Sequence, residues 1–252
     1  MLDPILLEVL RNRLTAIADE MELTLLRAAY SAIVKEGLDA SAAVFDRQGR
    51  VIAQAAAIPI HLGCLIPAVE RVIELYPVDA MAPGDVYILN DPYDGGTHLP
   101  DIVLVAPVYV EGSVVGLTTT MCHHQEMGGM VPGSLPPNAT DYFQEGLRIP
   151  PLKLVDAGRP VEPILAILRR NVRVPDVVMG DLRAQLAACD VGRRRLEEVV
   201  RAHSAVTFDA CCDELVRRSE LLTRRRIDAI PDGTYRFVDF MDDDGVHPGK
   251  PI

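Results

Sequence analysis

Ile102-Val103-Leu104-Val105-Ala106-Pro107-Val108-Tyr109, then Glu111-Gly112, then Val114-Val115-Gly116-Leu117-Thr118-Thr119-Thr120-Met121, is the stretch that decides the architecture. Both runs are strand-like and Glu111-Gly112 is a turn, so they pair as an antiparallel hairpin. A smaller hairpin precedes it, with Ala43-Val44-Phe45 and Arg50-Val51-Ile52-Ala53 on either side of Asp46-Arg47-Gln48-Gly49. Gly49 suits the left-handed position of that short loop. Residues 86–89 form a further short strand, which delivers the chain into the turn-forming run Asn90-Asp91-Pro92-Tyr93-Asp94-Gly95-Gly96-Thr97-His98.

Helices flank these strands. Asp3-Pro4 supplies an N-cap and a first-turn proline, and Leu6, Leu10, Leu14, Ile17, Met21 and Leu25 recur at spacings of three and four. One long amphipathic helix ending before Gly37 is expected. Residues 67–75 read as a short helix, and 163–174 and 176–230 as helical. Glycine and proline recur too often through 127–163 for long regular elements, which marks a large loop region of the kind that lines a site or an interface. A last strand is expected at 235–241, after the turn Pro231-Asp232-Gly233. Hairpins in place of alternating βαβ units predict an α+β fold, a mainly antiparallel sheet with a long N-terminal helix and a C-terminal helical region. The expected organisation is an α+β core over 1–162, a helical region over 163–230, and the start of a further β region over 231–252.

Composition narrows the function. With 25 Lys and Arg against 36 Asp and Glu in 252 residues, the net charge of −11 argues against a nucleic-acid partner, which needs a basic face. No apolar run reaches the roughly 18–20 residues of a membrane span. The first residues lack the basic and apolar regions of a secretory signal, so a cytoplasmic protein is expected. Five cysteines in a chain of this length do not make a disulfide framework. The arginine clusters at 193–195, 217–218 and 224–226 alternate with glutamates and read as a solvated helix face, with docking of another subunit as the alternative.

One constellation carries chemistry. His98 and Asp101 leave the Gly-rich run where one strand of the main hairpin begins, and His123-His124 stand where its partner ends. Both places are equally far from the turn at Glu111-Gly112, so two imidazoles and a carboxylate converge. That donor set suits a borderline divalent metal such as zinc or manganese, and places the candidate metal site in the 1–162 core. Adjacent residues on a strand face opposite ways, so one of His123 and His124 ligates. Asp39 is available as a fourth donor. Other candidates are weaker: Cys122 faces away from its histidine neighbours and packs in the core, Cys211-Cys212 lacks zinc-site spacing, and Asp242-Asp243-Asp244-Gly245 reads as a turn rather than a calcium loop. His61, His203 and His247 read as isolated structural histidines. No phosphate-binding loop is present.

Lys35-Glu36-Gly37-Leu38-Asp39-Ala40-Ser41, Ile58-Pro59-Ile60-His61-Leu62-Gly63, the block from Asn90 to Asp101, His123-His124 with Gly128-Gly129, Glu145-Gly146-Leu147-Arg148-Ile149-Pro150-Pro151, Gly180-Asp181-Leu182-Arg183-Ala184-Gln185 and Pro231-Asp232-Gly233-Thr234-Tyr235 together resemble the hydantoinase B/oxoprolinase family over nearly the whole chain. The resemblance implies the B-type (β) subunit of an ATP-dependent amidohydrolase that opens cyclic amides such as hydantoins or 5-oxoproline, working in a hetero-oligomer. An A-type partner subunit would bind ATP and phosphorylate the substrate carbonyl, and water activated by the metal would be the nucleophile. The implied metal ligands are Asp39, His98, Asp101 and His123, with His124 or Glu126 moving the proton. The related ketone carboxylases of the acetone and acetophenone type give one alternative, and a non-catalytic scaffold subunit gives another. Gly37 stands where the family usually has Arg, Ala40 where it has a bulky aromatic, and Glu126 where it has Asp, so substrate preference is open. Family members are longer, which implies that this chain corresponds to the N-terminal half of such a subunit.

Overall fold

The computed structural model describes residues 2–56, 58, 60–241, 247 and 249–250. Helix α1 (Pro4–Ala28) begins at the Asp3 cap, whose carboxylate accepts the Ile5 N–H, and buries Leu7, Leu10, Leu14, Ile17, Met21 and Leu25 along one stripe. The chain then runs through α2 (Ala32–Lys35), β1 (Ala40–Asp46), β2 (Val51–Gln54), α3 (His61–Leu75), β3 (Val86–Leu89), β4 (Asp101–Val110), β5 (Ser113–His123), β6 (Leu152–Asp156), β7 (Arg159–Pro160), α4 (Glu162–Asn171), α5 (Pro175–His203) and α6 (Ala205–Asp228). The strands form one sheet in the order β2-β1-β5-β4-β3-β6-β7. Every pairing is antiparallel. The fold is α+β, and among the described residues no helix is long and apolar enough to cross a membrane.

Side-chain alternation divides the sheet into two packed faces. Phe45, Val103, Val105, Leu117 and Met121 meet Leu65, Ala68, Val69 and Val72 of α3. On the other face, Ala42, Val44, Val108 and Cys122 join the stripe of α1 and residues of α5 and α6. Ile102, Leu104 and Ala106 lie against α4 and the first half of α5. Gly192 lets α5 cross closely: a Cβ there would stand 2.3 Å from Met21 Sδ and 2.8 Å from a Thr118 methyl.

Several expectations are corrected. The first helix does not run to Gly37: it ends at Ala28, because the buried Asp181 carboxylate takes the N–H groups of Tyr30 and Ser31 at 2.6 and 3.1 Å, and Ser31 then caps α2. The helix over 176–230 is two helices, broken at Ser204 (φ 72°), whose hydroxyl accepts the Thr207 N–H of α6. The short helix starts at His61, six residues before its expected proline. The loop region contains β6, which pairs with β3.

Residues 235–241 form no strand. Their Tyr235, Phe237, Val238, Phe240 and Met241 side chains are exposed. A strand needs a neighbour to satisfy its backbone groups, and among the described residues none flanks this segment. The expected turn at Asp242-Asp243-Asp244-Gly245 lies outside the described residues. The arginine clusters pair at i+3 and i+4 with Asp190, Glu197, Glu198, Glu214 and Glu220, as a solvated face does.

Candidate metal centre

Three neighbouring strands carry the site. Asp101 on β4 is in register with His123 on β5. The backbone N–H of His123 donates to the carbonyl of Asp39, just ahead of β1, at 3.1 Å. Alternation sends Asp101 and His123 to the face of Val103, Leu117 and Met121, the one that α3 covers.

His98 arrives from the turn before β4, and that turn is held from inside. Asn90 donates to the carbonyls of Leu99 and Leu147 at 2.6 and 2.9 Å and accepts the Ile149 N–H at 2.6 Å. Gly96 allows the turn to close on itself: a Cβ there would lie 2.7 Å from the Asp91 carbonyl oxygen.

The donor atoms meet closely. Asp101 Oδ1 is 2.9 Å from His98 Nε2 and 3.3 Å from His123 Nδ1, and the two nitrogens are 3.2 Å apart. The Thr97 hydroxyl donates to Asp101 Oδ2 at 2.7 Å, while Oδ1 is buried and accepts no well-formed hydrogen bond. Ligand atoms bound to one divalent ion at about 2.0–2.2 Å stand roughly 3–3.5 Å from one another, the spacing found here. Among the described residues this trio is the cluster whose donors come together in this way. Asp39 stands beside it, with Oδ2 3.9 Å from His123 Nδ1.

Charge follows the same geometry. Asp101 raises the His98 ring above its ordinary range, against the effect of burial. Burial pushes the Asp101 carboxyl up, but His123, His98 and the Thr97 hydroxyl outweigh it and hold the group far below the usual carboxylate range. An ionised oxygen facing two imidazole nitrogens is the donor chemistry that a borderline divalent cation selects.

A cleft of about 440 Å³ opens over the trio, lined by Asp39, Ile58, Ile60, His61, Cys64, Thr97, His98, Asp101 and His123. Two expected site residues lie elsewhere. His124 turns to the opposite face, as strand alternation requires, and its Nε2–H donates to Gln185 Oε1 at 3.0 Å. Burial lowers its pKa. Glu126 is buried and accepts from the Gly128 N–H, the Arg173 N–H and the Arg173 guanidinium at 2.8, 2.5 and 2.6 Å. Neither side chain lines the cleft.

Cys122 is fully buried in the core facing α1, where burial raises its thiol pKa. Two residues with no assigned role do line the cleft. Cys64 donates to the Ile60 carbonyl at 3.1 Å. His61 contacts both Ser41 and Asp39. No local pattern marks His61, but it opens a helix packed over the face that receives Asp101.

The hydantoinase B/oxoprolinase family model matches residues 3–251. The chain belongs to the hydantoinase B/oxoprolinase family. This family member is 37% identical over 248 residues to the caprolactamase subunit beta of Pseudomonas jessenii, covering 98% of the chain and 42% of the relative. It is 33% identical to the 5-oxoprolinase of Dictyostelium discoideum, over 96% of the chain and 20% of that protein. The crystal structure of the ATP-dependent caprolactamase from P. jessenii superposes with a TM-score of 0.85 at 36% identity, over 92% of this chain and 40% of that one. The nucleotide-free structure of an acetone carboxylase also gives a TM-score of 0.85, at 26% identity, over 91% of this chain and 31% of that one. The chain thus spans well under half the length of these relatives.

Proposed function

We propose that this chain supplies the metal site of a B-type subunit in an ATP-dependent hydrolase of cyclic amides. The observation that carries this reading is Asp101 Oδ1, a buried carboxylate oxygen without a well-formed hydrogen bond that faces two imidazole nitrogens within 3.3 Å. His98, Asp101 and His123 would hold the ion, with Asp39 as the adjoining carboxylate. When bound, a divalent cation there supplies Lewis acidity and a positive charge opposite developing negative charge.

The chain's own residues do the rest by orientation. The β1-β5-β4 ladder fixes Asp39, His123 and Asp101 relative to one another, and Asn90 and Thr97 hold the His98 turn against them. The cleft is within the usual size of a small-molecule site, and Ile58 and Ile60 give it an apolar lip suited to a small lactam ring. Phosphorylation of the amide oxygen falls to an ATP-binding A-type partner, in keeping with the absence of a phosphate-binding loop from this sequence and with the ATP dependence of the caprolactamase relative. In this arrangement His124 and Glu126 act at a distance, His124 by packing behind His123 and Glu126 by tying the loop after β5 to Arg173.

A second reading, a subunit of an ATP-dependent ketone carboxylase, is favoured by the likeness to acetone carboxylase. Metal content of the purified chain, with His98→Ala and Asp101→Ala variants assayed beside an A-type partner, tests both. Bound divalent metal that is lost with activity in the variants is expected. A metal-free wild type, or undiminished variant activity, overturns both readings and leaves the scaffold role. ATP-dependent ring opening against bicarbonate-dependent ketone consumption then separates hydrolase from carboxylase.

A further inference from the structure

We infer that His61 is a positioning residue that aims the Asp39 carboxylate at the metal site and is itself held by Ser41. The inference rests on the metal-site reading above. Asp39 and Ser41 are two residues apart at the start of β1, so their side chains leave on one face, the face over which α3 begins with His61. His61 is buried, at 4% exposure. Its Nδ1 lies 2.8 Å from the buried Ser41 Oγ, and its Nε2 lies 3.6 Å from Asp39 Oδ1. The other Asp39 oxygen is the one nearer His123 Nδ1, at 3.9 Å.

This placement selects a tautomer. Nε2 faces a carboxylate oxygen, so a neutral ring carries its proton there, and Nδ1 accepts the Ser41 hydroxyl proton. At 3.6 Å the Nε2–H to Oδ1 approach is a directed charge–dipole contact and not a full hydrogen bond. It nevertheless distinguishes the two carboxylate oxygens, Oδ1 toward His61 and Oδ2 toward the site. Such orientation matters for Asp39, because its side chain is 31% exposed and free on one side to turn into solvent. The backbone makes the same adjustment: Leu38 sits in the left-handed region (φ 56°), where a leucine is strained, and this bends the chain immediately before Asp39. Both ring nitrogens of His61 are directed at side chains, Nδ1 at Ser41 and Nε2 at Asp39, which makes it a support for Asp39 and not a ligand in its own right. Outer residues of this kind typically change metal affinity about 10–100-fold.

The test is Mn²⁺ binding to the full chain by calorimetry, for wild type, His61→Ala, His61→Gln and Ser41→Ala, with pulsed electron paramagnetic resonance to count the nitrogens on bound Mn²⁺. His61→Ala should weaken binding about 10–100-fold. Ser41→Ala should weaken it less, and His61→Gln, which keeps an N–H donor of similar reach, should retain most of the affinity. The nitrogen count should stay at the wild-type value in every variant. Wild-type affinity in His61→Ala overturns the inference, as does loss of a nitrogen signal in His61→Gln, which would make His61 a ligand. Wild-type affinity in Ser41→Ala overturns the Ser41 part. If His61→Ala does not fold by circular dichroism, the glutamine and Ser41 variants decide the matter. A wild-type chain that binds neither Mn²⁺ nor Zn²⁺ overturns the metal reading itself, a failure distinguishable from that of His61 alone.

Discussion

Asp181 on α5 accepts the backbone N–H of Tyr30 at 2.6 Å across 151 residues of sequence. The same oxygen takes the Ser31 N–H, so one buried carboxylate closes the end of α1 and starts the turn that leads to Asp39 and β1. The position of one candidate ligand therefore depends on a helix that is distant in sequence and packed against α1.

Asp181→Leu should destabilise the protein by about 2–4 kcal/mol, because a buried and a part-buried N–H group lose a charged acceptor. Asp181→Asn keeps an oxygen at that place and should cost less than half as much. Urea denaturation of the two variants checks the ordering, and equal losses would show that the hydrogen bonds are not what holds the turn.

Metal should stabilise the fold by mass action. At a free concentration 100-fold above the dissociation constant, Mn²⁺ or Zn²⁺ should add about 2.7 kcal/mol, seen as a raised melting temperature that a chelator reverses. Asp101→Asn should melt at the same temperature with and without metal.

Acid should weaken the protein partly through Asp85, which immediately precedes the internal strand β3. Burial pushes this carboxyl up, but the N–H groups of Ala157 and Ala82, the Lys153 ammonium and the Tyr87 hydroxyl outweigh it and hold the group below its ordinary value. A depressed folded-state pKa contributes stability above the unfolded value of about 3.9, and that contribution is lost as pH falls through the folded value. Asp85→Asn should therefore be less stable than wild type near neutrality, with the gap closing as pH falls through the folded-state value. Denaturation curves across that range give the answer, and a gap that widens in acid would contradict it.

Gln185 ties α5 to the central strands by accepting from His124 at 3.0 Å and donating to the Ile102 carbonyl at 2.8 Å. Gln185→Leu leaves the His124 ring N–H buried without a partner and should cost about 1–3 kcal/mol. His124→Phe on that background should recover part of the loss by removing the unpaired ring N–H, a comparison that thermal or urea melts can make.

What was legible in the sequence is what local rules control. Strand alternation separated His123 from His124, which depends on the period of a β-ladder alone; counting outward from Glu111-Gly112 brought the two ends of the hairpin together but set Asp101 opposite Cys122, and a register shift between Val108 and Tyr109 moves it opposite His123. The break after Ala28 was not legible, because Asp181 lies about 150 residues away and nothing near Tyr30 signals it. Ser204 interrupts a pattern that stays helical on both sides. The strand β6 pairs with β3 some 65 residues upstream, and its glycine- and proline-rich surroundings read as loop. Residues 235–241 carry strand-like side chains, yet a strand is a property of a pair. His61 read as an isolated structural histidine for the same reason: its meaning comes from Ser41 and Asp39, which only the stacking of α3 on the sheet brings near.

The four candidate donors are not held alike. Asp39, Asp101 and His123 sit on or immediately beside hydrogen-bonded strands, whereas His98 rides on a turn whose main internal tie is the Asn90 side chain. A ladder opens slowly and a turn opens readily. Were an ion held here as proposed, its lifetime would accordingly be set by how often the Asn90 clamp lets go, so capture and release would be tuned by one asparagine while the candidate ligands stay untouched.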